Sequence, residues 1–159
     1  MALVLLNPHA QGGRLGRRQA EISRALNDLD PSSRLMAPRE LGEAKALLMG
    51  CGGGERVVAI GGDGTVNRWL PALRARNLEL GLVPMGSGND LARALGLYGM
   101  PWRDALGHAL RGSAISMDVG LVRWGRDSAG EGLVSEPAQA RQGRSPQRHP
   151  DLRSAPASG

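Results

Sequence analysis

The sequence VAIGGDGTVN, at residues 58–67, joins an apolar segment directly to three glycines within four residues. The apolar segment, with the preceding Arg56-Val57, is typical of a buried strand. Glycine permits positive φ and lets backbone N–H groups approach an anion closely, and a helix that begins just beyond adds a partial positive charge. Asp63 is placed to organise a metal or polarise a hydroxyl, and Thr65 to donate to a phosphate oxygen. The alternative is a tight strand-to-helix turn that Asp63 or Thr65 merely caps.

A similar transition follows at residues 82–93, which read LVPMGSGNDLAR. Here too a strand meets small residues and then a helix, although Asn89 or Asp90 can simply cap that helix. Because the carboxyl ends of parallel strands meet at one edge of a sheet, we expect the two glycine-containing loops to face one crevice.

A third loop, residues 7–14, follows the apolar segment Leu3–Leu6. The amide of Asn7 can bridge loops at the edge of the sheet, and the alternative is an Asx turn before Pro8. His9 is interpreted as a surface loop residue rather than a base or a ligand.

Apolar runs and helical patterns alternate along the chain, which predicts a parallel sheet covered by helices on both faces. Strands are predicted at 3–6, 34–37, 56–60, 80–83 and 114–122, and helices at 14–29, 40–49, from the glycine turn to 73, 89–95 and 102–110. Gly50 is expected to form a left-handed cap, and Pro71 to kink or shorten its helix.

Composition narrows the functional classes. The net charge of +5 comes almost wholly from arginine, which indicates either attraction to phosphates and anionic headgroups or a solvated surface. Few aromatic residues argue against nucleic-acid binding, and one cysteine, Cys51, excludes an internal disulfide framework. No apolar run approaches the roughly 20 residues that cross a bilayer. We expect a soluble cytoplasmic protein that is peripheral at the inner face of the membrane, if it contacts the membrane at all.

The character of the sequence changes after Trp124, where Gly, Pro, Ser, Ala, Gln and Arg dominate. Such a composition buries too little apolar surface to offset chain entropy. The predicted organisation is one domain at 1–122 and a disordered low-complexity tail at 123–159.

In this order, the three loops resemble the catalytic-domain signature of diacylglycerol kinases and of their sphingosine-kinase and bacterial lipid-kinase relatives. The matching pieces are Asn7-Pro8, Gly61 to Asn67 and Pro84 to Arg93, and Asp118-Val119-Gly120 resembles the strand by which that family leaves its first domain. The resemblance covers residues 2–122. The Gly-Gly-Asp-Gly-Thr sequence also occurs in NAD kinases, so an NAD kinase-like enzyme stays as an alternative.

The resemblance implies an α/β three-layer domain that binds ATP and Mg²⁺ and transfers the γ-phosphate to a hydroxyl of diacylglycerol or a related lipid at the membrane surface. Asp63 matches the acid that serves the nucleotide and magnesium network and is the catalytic candidate. Ser87 keeps a phosphate-binding hydroxyl. No separate metal ligand is predicted, and the predicted nucleotide-binding residues are Asn7, Gly61, Gly62, Asp63, Gly64, Thr65, Asn67, Gly86, Ser87, Gly88, Asn89 and Asp90.

The resemblance also implies a β-rich second domain that supplies much of the lipid site. Residues 123–159 lack the length and the strand pattern of such a domain. The expectation is therefore that this chain alone has little or no kinase activity, and a non-catalytic nucleotide-binding remnant is a second alternative.

Overall fold

Four strands form one sheet in the computed structural model, which describes residues 1–120. They are β1 (Leu3–Leu6), β2 (Arg34–Met36), β3 (Arg56–Gly61) and β4 (Glu79–Pro84). Their order is β2-β1-β3-β4, and each neighbouring pair is parallel. The predicted parallel α/β architecture is confirmed.

Five α-helices connect or follow the strands in the described part of the chain, and a short 3₁₀ helix (Gly16–Arg18) directly precedes the first of them. The α-helices are α1 (Gln19–Leu29), α2 (Leu41–Met49), α3 (Asp63–Ala75), α4 (Asp90–Ala94) and α5 (Trp102–Arg111). Buried residues of α1 and α5 share one core with one face of the sheet, and those of α2, α3 and α4 share a second core with the other face. The three layers therefore follow from two separate apolar cores.

Alternation along the strands produces these two cores. In β3, Val58 and Ile60 belong to the α1 and α5 side, whereas Val57 and Ala59 belong to the α2 and α3 side. All four side chains are fully buried. An uninterrupted apolar run is what a strand covered on both faces requires.

The strand order determines where a ligand can bind. β1 and β3 are neighbours, but the chain leaves β1 toward α1 on one face and leaves β3 toward α3 on the opposite face. Such a switch point leaves a crevice at the carboxyl ends of the two strands. The loops that begin at Asn7 and Gly62 both lie there.

The predicted last strand is wrong for the residues that the structure describes. From 113 to 120 the chain has no regular secondary structure. Ile115, Met117 and Val119 are 76%, 53% and 41% exposed. Strands are stabilised by packing of their side chains, and these side chains are only partly packed. The predicted disordered tail at 123–159 lies outside the described residues.

Two helix-end predictions also fail. Gly50 follows α2 with φ of −78°, in the right-handed region, because its N–H bonds back to Ala46 and Leu47 as a continuing helix would. Pro71 lies inside α3, which continues to Ala75, so the predicted shortening of that helix is wrong, whereas the predicted kink stays a prediction. In residues 1–120, no helix combines the length and apolarity needed to cross a membrane.

Candidate functional site

The loops after β1, β3 and β4 line a cleft of about 350 Å³ at the carboxyl ends of the strands. This volume lies in the range of small-molecule sites. Most of the predicted site residues line the cleft: Asn7, Gly62, Asp63, Gly64, Thr65, Gly86, Ser87 and Gly88. The structure therefore brings all three sequence motifs together in one place.

Two glycines allow the β3 and β4 loops to touch. A Cβ atom on Gly62 would lie 2.8 Å from the Cα atom of Gly86, and a Cβ atom on Gly86 would collide with the Cα atom of Gly62. Nearby, the Met85 N–H donates to the Gly61 carbonyl over 2.8 Å. The loops can approach this closely only because neither glycine has a side chain.

Asp63, the first residue of α3, links the same two loops through its carboxylate. Its oxygens accept hydrogen bonds from the backbone N–H groups of Leu91 and Asp90, and each donor–acceptor distance is 3.0 Å. These two donors hold the pKa of the Asp63 carboxyl below its usual range, and the N–H group of Leu91 has the larger effect. A carboxylate with a lowered pKa is a poor proton acceptor at neutral pH. The geometry suits an anchor and a cation ligand better than a general base.

Asn7 connects the β1 loop to the β3 loop. Its Nδ2 atom donates to Thr65 Oγ1 over 2.7 Å, which confirms the predicted bridge. Its Oδ1 atom accepts the His9 N–H over 3.0 Å, so the alternative Asx turn is present as well. Thr65 is 4% exposed, and its hydroxyl proton remains available to a ligand because Oγ1 acts as the acceptor toward Asn7.

Replacing Asn7 by alanine is expected to destabilise the protein by about 1–2 kcal/mol, because the buried Thr65 hydroxyl loses its donor. Urea unfolding of wild-type and Asn7→Ala proteins measures this loss. Asn27→Ala is the control, since Asn27 lies on the exposed face of α1. Equal unfolding free energies for Asn7→Ala and the wild-type protein would contradict the role of the bridge.

Four predicted residues do not line the cleft, although three of them shape its loops. Asn89 closes its own loop, with two hydrogen bonds of 2.9 Å between its side-chain amide and the backbone of Gly86. The Asp90 side chain is exposed and pairs with Arg93, while its N–H bonds to Asp63. A Cβ atom on Gly61 would lie 2.5 Å from Thr65 Oγ1. Asn67 is exposed on α3.

Other residues line the cleft without having been predicted: His9, Ala10, Gln11 and Arg68. His9 is exposed, as expected of a surface loop residue, and its Nε2 atom lies 2.9 Å from the Arg39 carbonyl oxygen. The sequence feature that could have identified Arg68 is its spacing of four residues from Gly64, because residues four apart lie on one face of a helix.

The arrangement suits an anionic ligand. The first turn of α3 has backbone N–H groups without intrahelical acceptors and carries a partial positive charge. The hydroxyls of Thr65 in α3 and Ser87 in the loop after β4 add two donors to the lining of the cleft. Within residues 1–120, no group of three or more His, Cys, Asp or Glu side chains is placed to hold a metal ion.

Comparisons with known proteins agree with this geometry. The family model described as the diacylglycerol kinase catalytic domain matches residues 1–122. The chain is 43% identical over 75 residues to the eye-specific diacylglycerol kinase of Drosophila melanogaster, covering 43% of this chain and 5% of that protein. It is 34% identical over 84 residues to a diacylglycerol kinase of Bacillus subtilis, covering 50% of this chain and 28% of the relative.

A solved structure supports the same relationship. A diacylglycerol kinase of Bacillus anthracis superimposes with a TM-score of 0.55 at 26% identity, covering 65% of this chain and 39% of that one. The chain thus spans less than half the length of each of these three proteins.

Proposed function

The chain belongs to the diacylglycerol kinase catalytic domain family, and on that premise we propose that it forms the nucleotide-binding part of a lipid kinase. The reaction is transfer of the ATP γ-phosphate to a hydroxyl of diacylglycerol or a related lipid. The observation that carries the proposal is the cleft itself, in which the three loops meet around the start of α3. The family match favours this function over the NAD kinase-like alternative.

The cleft fits a chain of phosphate groups. Gly64 is exposed, and a Cβ atom there would meet nothing within 4 Å, so a ligand can reach the backbone at the start of α3. Thr65 and Ser87 would donate their hydroxyls to phosphate oxygens, one from α3 and the other from the loop after β4. Phosphoryl transfer depends mainly on such positioning and on charge neutralisation.

Asp63 is the residue proposed to organise the bound nucleotide. Its charge is maintained by the two backbone donors, and each carboxylate oxygen keeps a further lone pair. Mg²⁺ bound with ATP would neutralise phosphate charge, with Asp63 as its protein-side carboxylate. Asp63 also keeps α4 in place, which holds Ser87 and Gly88 against the cleft.

The acceptor is proposed to reach the same cleft from a membrane surface. The residues that line the cleft are mainly polar or small, so they suit the nucleotide rather than acyl chains. By resemblance to the family, the acceptor hydroxyl would lie opposite these loops. The protein would then act as a peripheral enzyme on the cytoplasmic side of the membrane.

The test is transfer of label from [γ-³²P]ATP by the full chain mixed with a separately purified β-rich second domain of a related diacylglycerol kinase, with mixed micelles of diacylglycerol in one reaction and NAD in another. The chain alone should transfer little or no label. Labelled phosphatidate is the expected product of the mixture. Labelled NADP would instead support the NAD kinase-like alternative. Binding of ATP without transfer to either acceptor would support the non-catalytic alternative and contradict the proposed enzyme.

A further inference from the structure

Arg68 is the one permanently cationic side chain among the described residues that line the cleft. The ligand proposed above is strongly anionic, and the other ionised side chain of the lining, Asp63, has the same sign of charge as that ligand. Backbone donors and the start of α3 supply only partial positive charges. A full positive charge at this position therefore changes the electrostatics of the site substantially.

The position of Arg68 on α3 directs it toward the phosphate region. Side chains on a helix lean toward its N-terminus, so a residue covers the turn that precedes it. Arg68 lies four residues after Gly64, the exposed residue of the first turn of α3, and hence over that residue. Because Gly64 has no side chain and open space around it, nothing on that turn separates the guanidinium from a ligand.

Arg68 is also uncommitted within the part of the chain that the structure describes. The ion pairs there use Arg18, Arg56 and Arg93. Arg76, which directly follows α3, donates two hydrogen bonds to the Cys51 carbonyl oxygen. Arg68 has neither kind of partner, so its planar set of donors is available for a phosphate.

We infer that Arg68 binds the phosphate chain of the nucleotide and makes the cleft select for polyphosphates. This inference rests on the proposed function. Since each added phosphate brings charge close to the guanidinium, the contribution of Arg68 is greatest for ATP and smallest for AMP. Lysine at this position would keep the charge but lose the bidentate geometry.

The experiment is calorimetric titration of ATP, AMP and inorganic tripolyphosphate into wild-type, Arg68→Ala, Arg68→Lys and Arg74→Ala proteins. Arg74 is a matched control, because it is exposed on α3 but lies outside the cleft. Arg68→Ala is expected to weaken ATP and tripolyphosphate binding by about tenfold, as loss of one charge-assisted contact implies. AMP binding should change by less than about twofold, and Arg68→Lys should restore part of the loss for ATP.

The outcomes separate this inference from the proposed function. Wild-type-like binding of ATP and tripolyphosphate by Arg68→Ala would overturn the role of Arg68, and so would an equal loss in Arg74→Ala. A wild-type protein that binds tripolyphosphate through Arg68 but does not bind ATP would contradict both the kinase and the role of Arg68 toward a nucleotide. A wild-type protein that binds neither would overturn both. Unchanged melting temperatures exclude misfolding as the cause of any loss.

Discussion

Gly86→Ala is expected to weaken ATP binding by about 100-fold, because the alanine side chain would push the β3 and β4 loops apart. The added Cβ atom would collide with the Cα atom of Gly62 and lie 2.8 Å from Asn89 Oδ1. Neither neighbour can move away freely. The Gly62 atom belongs to the backbone, and the Asn89 side chain is held by two hydrogen bonds to Gly86.

The size of this effect is set by the number of hydrogen-bond donors that would no longer reach the ligand together. Separating the loops moves the hydroxyl of Ser87 away from the start of α3. Losing two charge-assisted hydrogen bonds at about 1.5 kcal/mol each amounts to about 3 kcal/mol, or roughly 100-fold in affinity. Isothermal titration calorimetry with Mg·ATP measures the change.

Gly42→Ala is the control for the substitution itself. Gly42 lies on the exposed surface of α2, and a Cβ atom there would meet nothing within 4 Å. The affinity of the Gly42→Ala protein for ATP should stay unchanged. Its free energy of unfolding should rise by up to about 1 kcal/mol, since alanine favours the helix more than glycine does. Wild-type affinity in Gly86→Ala would show that the close contact between the glycines is not required.

Asp63→Asn is expected to weaken ATP binding by about 30-fold, because it loosens the start of α4. Asparagine keeps one acceptor oxygen, but its NH₂ group would face the second backbone donor of the Asp90 and Leu91 pair. An unpaired donor in place of a charge-assisted bond costs about 2 kcal/mol. The ligand can bind only after the loops are ordered against this cost, so the full cost reduces the apparent affinity by about 30-fold.

The same substitution should change the pH dependence of stability. The pKa of Asp63 is lowered in the folded protein, so its stabilising contribution is complete above the unfolded value of about 3.9. The contribution is lost as the pH falls through the folded pKa. The difference in unfolding free energy between wild-type and Asp63→Asn proteins should therefore be constant near neutral pH and shrink below about pH 4.

Urea unfolding at a series of pH values measures this difference. Asp104→Asn, which removes an exposed carboxylate from the first turn of α5, is the charge-matched control and should leave ATP affinity unchanged. A difference between wild-type and Asp63→Asn that persists undiminished at pH 3 would mean that the carboxylate charge is not what stabilises the loops.

Local sequence predicts the architecture well because each strand has its own apolar signature. The run through Val57 to Ile60 is buried on both faces, and the glycines beyond it predict the turn into α3. The bridge made by Asn7 is predictable as well, since its amide follows a strand at the edge where loops gather. These inferences need only neighbouring residues and the rule that parallel strands share a carboxyl edge.

The remaining features depend on contacts between distant residues. The bonds from Asp90 and Leu91 to Asp63 join positions on different loops, and no local pattern predicts which N–H groups a carboxylate will accept. The contact between Gly62 and Gly86 likewise joins positions that are far apart in the sequence. The apolar residues at Ile115 and Met117 favour a strand locally, but they are exposed in the structure, and a strand needs a partner as well as a pattern.

Titration of Mg·ATP into the wild-type chain tests the central claim most directly, namely that the three loops form a nucleotide site. Calorimetry should show saturable binding to one site per chain. The contradicting result is no heat of binding at millimolar ATP from a chain whose circular dichroism and cooperative unfolding show that it is folded.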